Sequence, residues 1–221
     1  MIVGALVGGR GGDHQPRALS RTPPQIWEAA HAAIGEGAYR LAARHLGELD
    51  RCSRAQRRSL PVGESELRCL RRQIELLADL SPESVEEIMR HSIGQSDAEW
   101  QTVFADRYRN RGVIIDARLF RDSTGRYHVD YQLETAGLTG EWDVQNLAVL
   151  QRLPLQQPQR VFLGVRLADV SRTGRDRWMV RPAPDSGVVF TDPAVLGGLS
   201  LAVDSDLAAV IRRQAAWGVD E

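Results

Sequence analysis

The first half of the chain has apolar residues three or four positions apart, the spacing of amphipathic α-helices. The pattern begins at Thr22, which precedes two prolines and a glutamine as a helix N-cap does. Five helices are predicted before residue 110, and Ser81 is the predicted cap of the fourth. Their apolar stripes contain Ile26, Ala30, Leu46, Leu49, Leu67, Leu70, Ile74, Leu77, Val85, Ile88, Met89, Trp100, Phe104 and Tyr108.

From Arg111 onward apolar and polar residues alternate, which is the period of a β-strand with one exposed face. Val113 and Ile115 predict the inner face of a first strand. After a turn at residues 122–125, Tyr127 and Tyr131 predict the inner face of a second strand. Shorter runs predict further strands near residue 142 and over 160–170, 178–181 and 188–191.

Short antiparallel strands joined by hairpins favour a barrel, because closure leaves few unpaired strand edges. The predicted fold class is therefore α+β: an N-terminal all-helical bundle, a small antiparallel β-barrel and a C-terminal helix. The predicted divisions are a flexible Gly-rich tail (1–21), a helical domain (22–110), a barrel domain (111–192), and a linker with the closing helix (193–221).

The strand number, the long first strand and its entry from a helix resemble an OB-type barrel over about residues 111–192. A segment between Pro154 and Pro158 takes the place of that family's usual helix. The resemblance implies binding of single-stranded nucleic acid on one strand face, through basic and aromatic residues. Here the exposed face mixes carboxylates with arginines. Its aromatics, Phe120 and Phe162, either bind a ligand or pack under the helices.

Two helical segments resemble known binding motifs. Residues 24–52, with small alanines at the helix crossing and a Gly-x-Tyr turn, resemble one tetratricopeptide-type hairpin, which implies protein binding. Residues 85–104 resemble a helix-turn-helix. However, Arg90 stands where a small residue is needed, and Asp97 would face DNA phosphates. DNA binding by this second segment is therefore not expected.

Composition excludes several classes of enzyme. The 221 residues include 28 cationic and 29 acidic ones, and every cationic residue is Arg, because the chain contains no Lys. P-loop proteins, protein kinases and pyridoxal enzymes each need a Lys at the reacting group. These three classes are therefore excluded.

Residues 51–72 carry a local excess of positive charge, with seven Arg against two Glu and a net charge of +5. Together with three residues of the predicted barrel, these arginines form the candidate binding surface. Its members are Arg51, Arg54, Arg57, Arg58, Arg68, Arg71, Arg72, Arg118, Arg126 and His128. Such a surface would take phosphate, nucleic acid or an acidic partner. The alternative is a solvated helix face that pairs with Glu75 and Asp79.

Residues suited to catalysis or metal binding are few. The segment 185–187, Asp-Ser-Gly, matches the signature of an aspartic protease, which would require a homodimer, and it fits a tight turn equally well. The five His residues lack metal-ligand spacing. Cys52 and Cys69 either fill boundary positions or form one disulfide. No metal site and no cofactor are predicted, and enzyme activity is not supported.

The apolar run at residues 1–9 is too short to span a bilayer, so no membrane insertion is predicted from the sequence as written. The expected location is cytoplasmic, or envelope-attached if this run is the stub of a longer anchor. These observations favour a non-enzymatic interaction or scaffold module with a protein partner. The alternatives are single-stranded nucleic-acid binding through the barrel and the arginines, and a dimeric aspartic protease.

Overall fold

Helices occupy the first half of the chain and one helix follows the sheet. The computed structural model describes residues 21–56, 61–199 and 204–217, and of 53–56 the backbone alone. The helices are α1 (Pro23–Gly35), α2 (Tyr39–Gln56), α3 (Glu64–Ala78), α4 (Val85–His91), α5 (Asp97–Arg107) and α6 (Ser205–Ala215). Residues 1–20 of the predicted tail lie outside the described residues, as do Arg57 and Arg58.

Helix α4 begins later than predicted. Ser84 is its N-cap: the Ser84 N–H donates to Glu87 Oε2 at 2.8 Å, and the Glu87 N–H donates to Ser84 Oγ at 3.2 Å. The predicted cap, Ser81, instead donates its N–H to the carbonyl oxygen of Gly112 at 2.8 Å. The connection between α3 and α4 is therefore bound to the edge of the sheet.

In the described part of the chain, seven strands form one sheet. They are β1 (Gly112–Arg121), β2 (Tyr127–Asp130), β3 (Leu133–Thr135), β4 (Leu138–Trp142), β5 (Gln159–Arg172), β6 (Arg177–Pro182) and β7 (Val188–Val189). The order is β2-β1-β5-β6-β4-β3, and β7 pairs with β5. The segment between β4 and β5 contains one 3₁₀ turn, Ala148–Arg152, where the OB resemblance implies a helix.

The sheet is mixed rather than wholly antiparallel. Strands β4 and β6 run parallel, whereas the other pairings are antiparallel. The strand order explains the parallel pair. After β4 the chain crosses to β5, which lies next to β1, and β6 then lies between β5 and β4. The sheet curls into a half-barrel, and the predicted α+β class is confirmed.

The predicted second strand is broken at Tyr131. Strands β2 and β3 are separated by residues 131–132 and lie at opposite ends of the sheet order. Tyr131 lies in this break, outside both strands, and its predicted position in the core is wrong. The side chain is 48% exposed, whereas Tyr127 and Leu133 on either side are buried.

Helices cover both faces of the sheet. The inner face packs with α4 and α5, whose Met89, Trp100 and Phe104 join its core. The outer face of β5 contacts α3 and α6, and Phe162, 2% exposed, lies in a second core that also contains residues of α1 and α2. Phe162 therefore packs under helices. The predicted division into a helical and a barrel domain stays a prediction.

Candidate functional site

Strand β1 is paired along most of its length on one side and only over its last four residues on the other. It pairs with β5 from Gly112 to Leu119. On the opposite side it pairs with β2 only from Arg118 to Arg121, because β2 ends before Tyr131. The first half of β1 therefore faces a gap in the half-barrel.

A cleft of about 770 Å³ opens at this gap, and we call it the β1 cleft. One side is formed by residues 80–86, which connect α3 to α4. The floor is formed by residues 113–116 of β1 together with Phe162. Its remaining lining residues are Tyr131, Leu133, Trp142, Arg160, Leu199, Asp204 and Leu207.

Apolar side chains line much of the β1 cleft. Ile114 is partly exposed although it lies on the outer face of β1, where the neighbouring outward residues Asp116 and Arg118 are polar. Tyr131 exposes about half of its surface at the rim. The indole nitrogen of Trp142 is buried and has no hydrogen-bond partner among the described residues. This combination is typical of a binding surface rather than of a solvated strand face.

The cleft is acidic. Four carboxylates line it, those of Glu83, Glu86, Asp116 and Asp204, against the single guanidinium of Arg160. Arg160 donates to both oxygens of Asp116 at 2.7 Å. This hydrogen-bonded pair raises the pKa of Arg160 above its usual value, and the nearby charge of Asp204 adds to the effect. Glu83 pairs with Arg107, which lies outside the cleft, at 3.2 Å, so Glu86 and Asp204 are the lining carboxylates without an ion-pair partner among the described residues.

One hydrogen bond joins the two rims of the cleft. The hydroxyl of Tyr131 donates to Glu86 Oε1 at 2.5 Å. The bond to the carboxylate, with burial as a smaller cause, raises the pKa of Tyr131 to about 12. At neutral pH the phenol therefore stays protonated and continues to donate to Glu86.

Several of the helical arginines in the candidate binding surface have hydrogen-bond partners close by. Arg71 bonds to Asp50 at 2.8 Å and to Glu75 at 2.6 Å. Arg72 donates to the carbonyl oxygen of Gly187 at 2.9 Å. Arg51 and Arg68 are exposed on α2 and α3, while the side chain of Arg54 is not among the described ones.

The three residues of the candidate binding surface that come from the predicted barrel, Arg118, Arg126 and His128, lie on the β1–β2 hairpin. Arg118 in β1 is paired in register with Asp130. Arg126 is exposed next to β2, and His128 bonds to Asp122 at 2.7 Å and stacks on Phe120. Within the described residues, no hydrogen bond or ion pair connects this hairpin to Arg71 or Arg72. The candidate surface is thus carried by separate elements.

The segment 185–187 forms a turn. The Ser186 N–H donates to the carbonyl oxygen of Ala183 at 3.1 Å, and the Ser186 hydroxyl donates to the same oxygen at 2.6 Å. Cys52 and Cys69 are partly buried and do not form a disulfide with each other. In the described part of the chain, no group of three His, Cys, Asp or Glu side chains is arranged to hold a metal ion. Its helices also include none with the length and apolar character of a membrane span.

The residues of the β1 cleft were not among the candidate residues from sequence. Strict alternation places Tyr131 in the core, and the break in strand pairing after β2 has no local signal. One signal was available at Ile114, an apolar residue at an outward position of β1 that is followed by the polar outward residues Asp116 and Arg118. Comparison of the chain with protein-family models, with curated proteins and with solved structures finds no match in any of the three.

Proposed function

We propose that this protein is a non-enzymatic interaction module that binds an apolar, basic segment of a partner protein in the β1 cleft. The observation that carries the proposal is the cleft itself. It combines exposed apolar side chains with an excess of carboxylates in one concave surface. A partner segment with apolar and cationic side chains complements both properties.

The apolar part of the cleft supplies the contact area. Tyr131 and Ile114 are accessible, and Trp142 forms part of the lining behind them. Tyrosine and tryptophan side chains frequently dominate binding energy, because they bury a large area and lose few rotamers. Burial of about 100 Å² of apolar surface is worth about 2.5 kcal/mol before the costs of association.

The acidic part supplies selectivity. Glu86 lies at the rim, and Asp204 lies at the start of α6 on the opposite side. An acidic or phosphorylated segment would place like charges against these carboxylates. A basic segment gains attraction at the rim, which mainly increases the rate of association and weakens with added salt.

The experiment uses a fluorescent peptide of about seven residues that alternates valine and arginine, a length that spans the first half of β1. Its affinity for the full chain is measured by fluorescence anisotropy. Glu86→Arg and Tyr131→Ala are each expected to weaken binding about tenfold or more. Glu141→Arg is the matched control, because Glu141 is exposed on β4 and does not line the cleft.

A peptide that alternates valine and glutamate should not bind. The proposal fails if the valine–arginine peptide does not bind the full chain. It also fails if that peptide binds Glu86→Arg and Tyr131→Ala as tightly as it binds Glu141→Arg.

Single-stranded nucleic-acid binding is the second candidate, favoured by the partly exposed Phe120–His128 stack beside Arg118. Nearby carboxylates weaken it, because Asp116 and Asp130 lie in the same two strands and Asp122 directly follows β1. It predicts retention on oligothymidylate that falls steeply with salt and is reduced in Arg118→Gln. Absence of retention at low salt would exclude it.

A further inference from the structure

We infer that the bound segment adds as a β-strand to the unpaired edge of β1, between Gly112 and Arg118. This inference rests on the proposed function and specifies how the partner is held. In this mode of recognition, main-chain hydrogen bonds supply much of the affinity, and alternate side chains supply specificity.

The direction of the β1 main-chain groups follows from the hydrogen bonds at its two ends. The Gly112 N–H donates to the Asp79 carbonyl oxygen at 3.0 Å, and the Gly112 carbonyl accepts from Ser81. At the other end, the Asp122 N–H donates to the Arg126 carbonyl oxygen at 2.9 Å, on the β2 side. Both residues therefore direct their main-chain groups away from β5.

Main-chain groups alternate in direction along a strand, so Ile114 and Asp116 point the same way as Gly112. Their two N–H and two C=O groups face the β1 cleft. Among the described residues, no strand pairs with β1 on this side between the bridge at Gly112 and the start of β2 pairing at Arg118. The open stretch is about 20 Å long at the rise of an extended strand.

The two faces of the edge differ in chemistry. Val113 and Ile115 point inward, where the cleft continues to Leu133 and Trp142. Side chains at paired positions of neighbouring strands lie on the same face of the sheet. Every second residue of an added strand therefore faces this apolar interior.

The intervening residues of the added strand face outward, beside Asp116. Asp204 also lines this outer part of the cleft. Cationic side chains at these positions meet carboxylates. The fitting partner is an extended segment in which apolar residues alternate with Lys or Arg.

The test measures amide hydrogen exchange by NMR on the full chain, with and without the valine–arginine peptide. In the free protein the amides of Ile114 and Asp116 should exchange fast, and those of Val113 and Ile115, which face β5, should exchange slowly. Saturation with peptide should slow the amide exchange of Ile114 and Asp116 by at least about tenfold. Slow exchange of these two amides in the free chain would overturn the inference, because the edge would already be covered by this chain or by a second copy.

A second arm separates main-chain pairing from side-chain docking. Two peptides carry backbone N-methyl groups, one on every valine and the other on every arginine. Only one of the two sets of amides faces β1 in an added strand, so one peptide should bind normally and the other should lose affinity at least about tenfold. If both bind like the unmodified peptide, edge pairing is wrong while the proposed function stands. If the unmodified peptide does not bind at all, the proposed function itself fails.

Discussion

Gln214 of α6 completes the main-chain hydrogen bonding of Phe162 in β5. The Phe162 N–H donates to Gln214 Oε1 at 2.6 Å, and Gln214 Nε2 donates to the Phe162 carbonyl oxygen at 3.1 Å. Nε2 also donates to the carbonyl oxygen of Phe190 at 2.7 Å. The side-chain amide of Gln214 thus makes the main-chain hydrogen bonds that a neighbouring strand would make to β5. Gln214 is completely buried.

Replacement of Gln214 by leucine should destabilise the fold by at least about 3 kcal/mol. The change keeps the volume similar but leaves one N–H and two carbonyl groups buried without partners, each of which costs about 1–3 kcal/mol. Urea unfolding measures the difference. The control is Gln157→Leu, because Gln157 is exposed, and it should change stability by less than about 0.5 kcal/mol. Equal stability of both variants would show that the amide contributes nothing.

Alanine at Gly164 and alanine at Gly47 should have opposite effects. A Cβ on Gly164 would lie 2.5 Å from Leu76 Cδ2, so α3 and β5 must move apart at a cost of about 1–3 kcal/mol. A Cβ on Gly47 in α2 meets no atom within 4 Å, and the better helix propensity of alanine should stabilise by about 0.5–1 kcal/mol. Thermal unfolding of both variants measures this difference, and a stabilised Gly164→Ala would contradict the packing of α3 on β5.

Stability should depend on pH through Asp122 in the β1–β2 turn. Its carboxylate accepts hydrogen bonds from Thr124, His128 and Arg126, and these hold its pKa well below the ordinary value of 3.8. A carboxyl whose folded pKa is depressed stabilises the fold above its unfolded pKa. This contribution is lost as the pH falls from about 3.8 toward the folded pKa.

Asp122→Asn removes this titration. Melting temperatures of the two proteins should differ at pH 6 and converge as the pH falls through this range. A constant difference down to pH 2 would mean that the carboxylate charge has no part in stabilising the turn.

Glu86→Gln should lower the pKa of Tyr131 from about 12 toward the ordinary value of 10.0, because the charged acceptor is lost. The raised pKa means that the bond stabilises the fold below pH 10 and is lost as the pH rises through about 12. NMR titration of the tyrosine ring carbons measures both values.

Tyr108 is the internal control for this titration. Its pKa is raised to about 12, first by burial and then by Glu83 rather than Glu86. Its titration should stay unchanged in Glu86→Gln. An unchanged Tyr131 in the same spectra would rule out the hydrogen bond that joins the two rims of the β1 cleft.

The positions of helices and strands could be predicted because their signals are local. The Ser96–Glu99 capping box and the alternation through Val113 and Ile115 each depend on residues only a few positions apart in the sequence. The start of α4 was missed because Ser81 is a good cap by sequence, but its N–H bonds to Gly112, a residue 31 positions away. The same limit applies to Tyr131, whose alternation with its neighbours is regular although strand pairing stops there.

By itself the sequence determined the α+β class, the change from helix to strand near residue 111 and the inward residues of β1, because hydrophobic period and capping specify elements one at a time. Tertiary structure alone decided which edges of those elements are paired. Gln214 reaches the edge of β5 from the far end of the chain, whereas β2 ends before Tyr131 and leaves Ile114 and Asp116 without a strand on the side away from β5. Pairing depends on which distant segments meet, and for that reason the β1 cleft could be identified only in the folded chain.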